Sequence, residues 1–373
     1  MIIVKSQSEI NHLIRALLEN YIDRGEERGL QVAAYLNGER IVDCWAGVAD
    51  PASGRLVDGE TLFTVWSAGK GVDATLVHLL VERGLLSYET RLAELWPEFA
   101  AHGKQDITVA HVLTHMSGIP QIPADVTPDE VLDWGAMRRR MERLTPLWKP
   151  GTASGYHAMT YGWLVGEIVQ RIDGRRFADF VRAEICAPLG IRDLYFGIPA
   201  EEEPRVAVLE DASDPVLPPP ADVLKVTATP AWRYPPSAWA NQSAVRRACV
   251  PSSGCIANAR ALAAHYAALA HGERLLPAAR VREMSALRFE GRDCTTGNPE
   301  RRALGYHLGG PDSALGERLS AFGHGGLGGT LAFADPELGL AFALTKNRLH
   351  SNVAPGTDVA YAAASVLRAA LAE

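Results

Sequence analysis

Apolar residues recur every three to four positions at the start of the chain. Ile10, Leu13, Ile14, Leu17, Leu18 and Tyr21 form one stripe, which predicts an amphipathic helix. The period then falls to two. Leu30 to Leu36 alternates and runs into Asn37-Gly38, the strongest short hairpin signal, and Ile41 to Ala46 supplies the return strand. The last third has the same texture. Ala303 to Leu308, Leu331 to Ala334 and Leu340 to Leu344 predict strands, with Asp335-Pro336 and Gly339 marking the turn between the last two. A terminal helix is expected from about Val359 to Leu371, and helical spacing fills the middle at Gly71–Glu82, Thr108–Leu113, Met159–Arg171 and Phe177–Ile185.

Strands at both ends around a helical middle predict an α+β protein with a central antiparallel sheet flanked by helices. The expected division is a sheet domain, residues 1–75 with 252–373, and a mostly helical inserted domain, residues 76–251. Gln121 to Pro150 and Ala200 to Pro251 show little periodicity, and the second holds Pro218-Pro219-Pro220 and Pro235-Pro236. Loops of this length inside a compact domain are commonly functional. Their aromatics, Trp134, Trp148, Trp232, Tyr234 and Trp239, are candidate pocket walls, with plain packing onto the body as the alternative. No internal repeat is visible.

Composition narrows the class. Of 373 residues, 47% are hydrophobic and 22% charged, with a net charge of −7, which supports a large core. That balance gives no support to nucleic-acid binding, which needs a concentrated basic face. The one basic knot, Arg138-Arg139-Arg140 with Arg143, is interleaved with Met137, Met141 and Leu144 and reads as the solvated face of a helix. No segment approaches the about 18 consecutive apolar residues of a membrane helix. The first residues lack the charged, apolar and small-residue order of a secretory leader. Five cysteines at irregular spacing, without a CxxC pair, are expected to be reduced and mostly buried, which suits the cytoplasm.

Candidate chemistry lies in three segments. Phe63-Thr64-Val65-Trp66-Ser67-Ala68-Gly69-Lys70 runs into a predicted helix, placing Ser67 at an N-terminus where free backbone N–H groups can hold an oxyanion. Lys70 projects from the same face one turn later, where partial desolvation lowers its pKa enough to accept the serine proton. Alone, SxxK is also what an N-cap serine and an exposed lysine look like. The second segment, Pro150 to Ala158, presents Tyr156 in a turn before a buried helix. The third, Phe322-Gly323-His324-Gly325-Gly326-Leu327-Gly328-Gly329, lets backbone approach a substrate closely.

In this order the three segments resemble the serine β-lactamase and penicillin-binding superfamily, and more narrowly class C β-lactamases and the β-lactamase-like family VIII carboxylesterases. Val112-Leu113-Thr114-His115-Met116-Ser117-Gly118-Ile119-Pro120, Pro188-Leu189-Gly190-Ile191 and Pro251-Ser252-Ser253-Gly254 support the likeness, which runs from about Leu30 to Asn347. The resemblance implies a β-lactamase/transpeptidase-like fold and an acyl-enzyme on Ser67. It implies that Lys70 and Tyr156 share the proton handling, with either as base, and that the Ser67 and Leu327 N–H groups form the oxyanion hole. Beside Lys70 a Tyr156 phenolate would be stabilised.

Two departures matter. Class C enzymes carry asparagine where this chain has Ala158 and lysine where it has His324, ahead of Gly325 and Gly326. Losing both groups argues against proficient β-lactam or D-peptide cleavage and favours small or medium esters. His324 would then assist leaving-group protonation, orient Tyr156, or serve only as a structural hydrogen-bonding residue. His157 is expected to point away from the site. Acyl transfer to an alcohol or amine acceptor on the same scaffold is the alternative activity, and a silent binding relative is disfavoured by the presence of Ser67, Lys70 and Tyr156.

Other motifs fail on context. Gly323 to Gly328 satisfies GxGxxG, but a strand follows it in place of a helix. His111 and His115 stand four apart, without HExxH or an evident third ligand, so packing and capping are expected. No GxSxG occurs. The expected partner is a small-molecule ester or acyl donor, with no metal or organic cofactor, no nucleic acid and no membrane. Nothing in the pattern fixes an oligomeric state.

Overall fold

The computed structural model describes residues 6–213, 228–271, 274–351, 353 and 358–372; the Pro218-Pro219-Pro220 run lies outside them. The apolar stripe at the start becomes helix α1, Gln7–Asp23, opened by a capping box between Ser6 and Glu9 and burying Ile10, Ile14 and Leu18. The hairpin follows as strands β1, Gly29–Leu36, and β2, Glu39–Asp50, with Asn37 and Gly38 at φ of +50° and +83° in the turn. A short β3, Arg55–Leu56, extends it. The last third of the chain contributes β4, Phe289–Arg292, β5, Pro299–Arg302, β6, His307–Leu308, β7, Phe322–Gly325, β8, Leu331–Asp335, and β9, Leu340–Lys346. These nine strands form one antiparallel sheet in the order β3-β2-β1-β9-β8-β7-β6-β5-β4.

Register sorts the two faces by size. Ala33, Ala343 and Ala332 lie opposite one another across three strands, and Ala341 faces Ala334. That alanine face packs against helix α4, Ala259–Ala270, itself rich in alanine. Small residues on both surfaces let helix and sheet approach closely. The opposite face offers Val32, Leu344, Leu331, Phe333 and Phe342 to α1 and the terminal helix α5, Val359–Ala372. Central strand β9 is therefore buried on both sides.

The apolar cluster behind the alanine face continues into the helical region. At its centre α2, Lys70–Glu82, is buried at every position from Lys70 to Val81 and packs on α3, Thr160–Asp173. A small antiparallel sheet places Cys255–Ala257 between Phe63–Thr64 and Leu194–Phe196, and so fixes the strand that feeds α2.

Three segments differ from the sequence expectation. Ala303–Leu308 is not one strand: the run breaks at Gly305, at φ of +88°, where a Cβ would lie 2.3 Å from the Cβ of Ala74. The hairpin β4–β5 escapes the pattern because its strands are charged and half-exposed. Gln121–Pro150 contains two short helices, Pro128–Leu132 and Trp134–Arg143, capped by Thr127 and Asp133. The second carries the basic knot as expected, with Met137 and Met141 inward and Arg140 paired to Glu130 and Asp125. All five cysteines are free, with Cys44, Cys186 and Cys255 buried. Among the described residues no helix is long and apolar enough to cross a membrane.

Candidate active site

Ser67 lies on a 3-10 turn, Trp66–Gly69, that leads into α2. Trp66 adopts φ of +52°, an uncommon conformation for a bulky residue, and Ser67 beside it remains half-exposed. Gly69 is required by contact: a Cβ there would stand 2.5 Å from the Cβ of Cys255.

Lys70 is fully buried, and its Nζ reaches Ser67 Oγ at 2.9 Å, the Ala158 carbonyl at 2.9 Å and the Ser252 carbonyl at 2.7 Å. As an ammonium it donates to all three. As a neutral amine it donates to the two carbonyls and accepts the serine proton, so one geometry serves both states. Burial lowers its pKa to about 7; Asp73, one turn further along α2, opposes the shift and Arg233 adds to it.

Tyr156 is carried by a loop pinned from below. Its N–H donates to Asp293 Oδ2 at 2.8 Å, Asp293 is ion-paired with buried Arg302 at 2.6 Å, and Arg302 also donates to Ser154 Oγ at 2.6 Å. Ser67 lies close enough to the phenol to act on its pKa, and Lys70 Nζ stands 5.0 Å from the ring centre. The three segments therefore meet. The expected phenolate, however, is not favoured. Burial raises the Tyr156 pKa and outweighs both the nearby Ser67 hydroxyl and the charge of Arg302.

The glycine-rich segment forms the facing wall. Gly326 touches the turn before the nucleophile, where a Cβ would lie 2.3 Å from the Val65 carbonyl oxygen. Within this turn the Gly326 N–H goes to Thr330 O and the Gly329 N–H to Gly326 O, which leaves the Leu327 N–H out of those bonds. The turn joins β7 to β8, so strand follows strand and the GxGxxG match has no helix behind it.

His324 sits in this wall, 3% exposed, with Nδ1 2.7 Å from the Gly325 carbonyl and its ring centre 6.1 Å from that of Tyr156. Burial, His307 and Lys70 hold its pKa well below the usual imidazole value, so it is neutral. His157 is occupied structurally: Nε2 meets Ser117 Oγ at 2.7 Å and Nδ1 meets the Gly155 carbonyl at 2.6 Å. His111 completes the cap of its helix with Thr108. His115 accepts the His157 N–H and packs at 4.9 Å from Tyr156. Among the aromatics expected to line a pocket, Trp239 joins Trp66 and Met159 around a cavity behind the nucleophile turn, while Trp134 borders a separate cleft with Phe177.

A model of the β-lactamase family matches residues 14–367. The chain belongs to the β-lactamase family. It is 34% identical over 344 residues to the esterase/β-lactamase LipL of Mycobacterium tuberculosis, covering 87% of this chain and 78% of that protein. It superposes with a TM-score of 0.88 on a penicillin-binding protein homologue from Caulobacter crescentus, at 34% identity, covering 97% of this chain and 98% of that one. A family VIII carboxylesterase gives a TM-score of 0.86 at 30% identity, covering 97% of this chain and 96% of that one. The β-lactamase/transpeptidase-like fold and its class, a serine hydrolase, follow.

Within this β-lactamase-family site, sequence reasoning missed Arg302, Asp293, His307 and Arg233. His307 Nδ1 lies 2.8 Å from Glu300, and its ring centre stands 4.6 Å from that of His324. These residues come from the β4–β5 connection, β5, β6 and a proline-rich loop, none of which carries a local motif.

Proposed function

We propose that this protein is a carboxylesterase that forms an acyl-enzyme on Ser67, with small or medium esters as substrates. The supporting observation is the fully buried Lys70 amine, 2.9 Å from Ser67 Oγ with a pKa lowered to about 7. Such an amine is neutral in a large fraction of molecules at physiological pH and is already in contact with the proton it must take.

In this scheme Ser67 Oγ attacks the ester carbonyl carbon while its proton passes to Lys70. The resulting oxyanion is held by the N–H groups of Ser67 and Leu327. Collapse breaks the bond to the alcohol oxygen, which takes a proton from the Tyr156 phenol, and Lys70 returns a proton to Tyr156. Water then enters by the reverse relay and releases the acid. A protonated tyrosine suits the role of carrier better than that of resting base.

The preference for esters rests on what is absent from two walls. Ala158 has no side-chain amide to hold a peptide or β-lactam side chain, and its carbonyl is already engaged by Lys70. His324 is neutral where related enzymes carry a lysine. Incubation with a panel of esters and thioesters followed by intact-mass measurement should give a transient acyl adduct. Ser67→Ala should give neither adduct nor turnover, and full turnover in that variant would refute the scheme.

A further inference from the structure

Buried cations in this protein are met by acceptors, with one exception among the described residues. Arg302 has Asp293 at 2.6 Å, Lys346 has Asp358 at 3.1 Å, and Lys70 and Lys104 each have several oxygen acceptors. Arg233 is 7% exposed, yet among the described residues its guanidinium has neither a carboxylate nor a hydrogen-bond acceptor. It lies over the ring of Trp66, 5.4 Å from Cζ to the ring centre, and its charge acts on both Lys70 and Tyr156. The indole beneath it also keeps a buried Nε1–H without an acceptor.

A largely buried guanidinium without a protein partner is costly to maintain, and its planar fork of N–H donors matches a carboxylate. Trp66 immediately precedes the nucleophile, and the charge of Arg233 is felt at Lys70 and Tyr156, which puts the guanidinium beside the catalytic groups. The glycine-rich wall supplies no competing cation, because His324 is neutral.

We propose that Arg233 binds a free carboxylate on the substrate, so that the preferred substrates are esters that also carry a carboxylate, such as half-esters of short dicarboxylic acids. This rests on the esterase reading of Ser67 and adds to it the chemical class of the ester. The guanidinium acts through binding alone; bond making and breaking stay with Ser67, Lys70 and Tyr156.

The test compares matched esters with and without the charge. Mono-p-nitrophenyl glutarate against p-nitrophenyl pentanoate places the carboxylate on the acyl side. The pair p-acetoxybenzoate and p-acetoxybenzamide places it on the leaving group. At least one charged ester should exceed its neutral partner in kcat/KM by roughly tenfold or more, the size of one charge-assisted pair. Arg233→Gln should collapse that ratio, mainly through KM, and Arg233→Lys should restore part of it. In the wild-type protein, glutarate should inhibit competitively and less strongly as salt is raised, a readout that needs no variant.

Equal kcat/KM for charged and neutral esters in the wild-type protein would overturn the Arg233 assignment while leaving the esterase reading intact. So would a ratio unchanged by Arg233→Gln. No turnover of any ester, with no adduct on Ser67, would remove both.

Discussion

Lys70 and Lys346 are buried to the same degree, 0% and 1% exposed, and do opposite work. Lys346, at the end of β9, is ion-paired to Glu27 and to Asp358 at 3.1 Å and joins the α1–β1 connection to the start of α5. Lys70 meets two carbonyls and a hydroxyl, while the one carboxyl near it, Asp73, makes no hydrogen bond among the described residues. Paired charges make Lys346 a strut. Uncharged acceptors and a dry setting make Lys70 an amine that exchanges its proton near neutrality. Lys104 is a useful third case. It too is 0% exposed, bonds to the carbonyls of Ala101 at 2.7 Å and Glu142 at 2.9 Å, and has its pKa lowered to about 8. Among the described residues no hydroxyl or thiol bonds to it, so a lowered lysine becomes a base only where a hydroxyl is in contact.

The largest expected effect comes from fixing a permanent cation at the Lys70 position. Lys70→Arg keeps the charge but cannot release its proton, and should cost on the order of 10³ in kcat, the usual size of a lost general base. In the parent enzyme, the amine is protonated below its folded pKa and free above it. Activity on a neutral ester should therefore rise with pH through a midpoint near 7 and level off about one unit above it. Stability should follow the same sign. Between about 7 and 10.5 the unfolded chain binds the Lys70 proton and the folded chain does not, so this residue's contribution rises with pH across that window. A Lys70→Arg enzyme of normal activity, or a flat pH profile from 6 to 9 at constant stability, would show that Lys70 is not the base.

The opposite manipulation removes the strut. Lys346→Met leaves Glu27 and Asp358 buried without their cation and should cost about 3–5 kcal/mol in chemical denaturation, as broken buried pairs do. Lys70→Met strands two carbonyls and no ionised partner, so it should cost less, about 1–3 kcal/mol. If the two variants unfold at the same denaturant concentration, the distinction between paired and unpaired burial fails.

The parts of this arrangement that were legible beforehand are those whose reasons are local. Asn37-Gly38 announces a hairpin because the turn itself demands left-handed backbone, and both residues adopt it. Ser67 and Lys70 share a face because three residues on a helix always do. Tyr156 and the glycine turn were found through resemblance, and the structure brings both to Ser67. The supporting wall was not legible. Arg302 and Asp293 meet across the β4–β5 hairpin, whose charged strands lack alternation, and His307 lies beyond a break imposed by contact between Gly305 and Ala74. Arg233 is one arginine among many in a segment without periodicity. What singles it out is burial without a partner among the described residues, which no spacing records. The phenolate expectation failed for a related reason: a sequence shows that Lys70 and Tyr156 are neighbours but not how dry the site is.

The smallest effect tests the floor beneath Lys70. Asp73 is fully buried, and burial raises its pKa well above the carboxylate range, with only Lys70 opposing. Burial therefore favours its protonated form, and Asp73→Asn replaces that form with a neutral amide of nearly equal shape. The midpoint of the activity rise should move by less than about 0.5 pH unit, with kcat at its plateau within roughly threefold. Were Asp73 ionised, it would be acting on Lys70 as Asp358 acts on Lys346, and removing its charge would free the amine. The midpoint would then fall by about one pH unit or more. A fall of that size would mean that the two lysines differ in geometry alone, because the nucleophile's neighbour would also be an ion-paired cation in the resting enzyme.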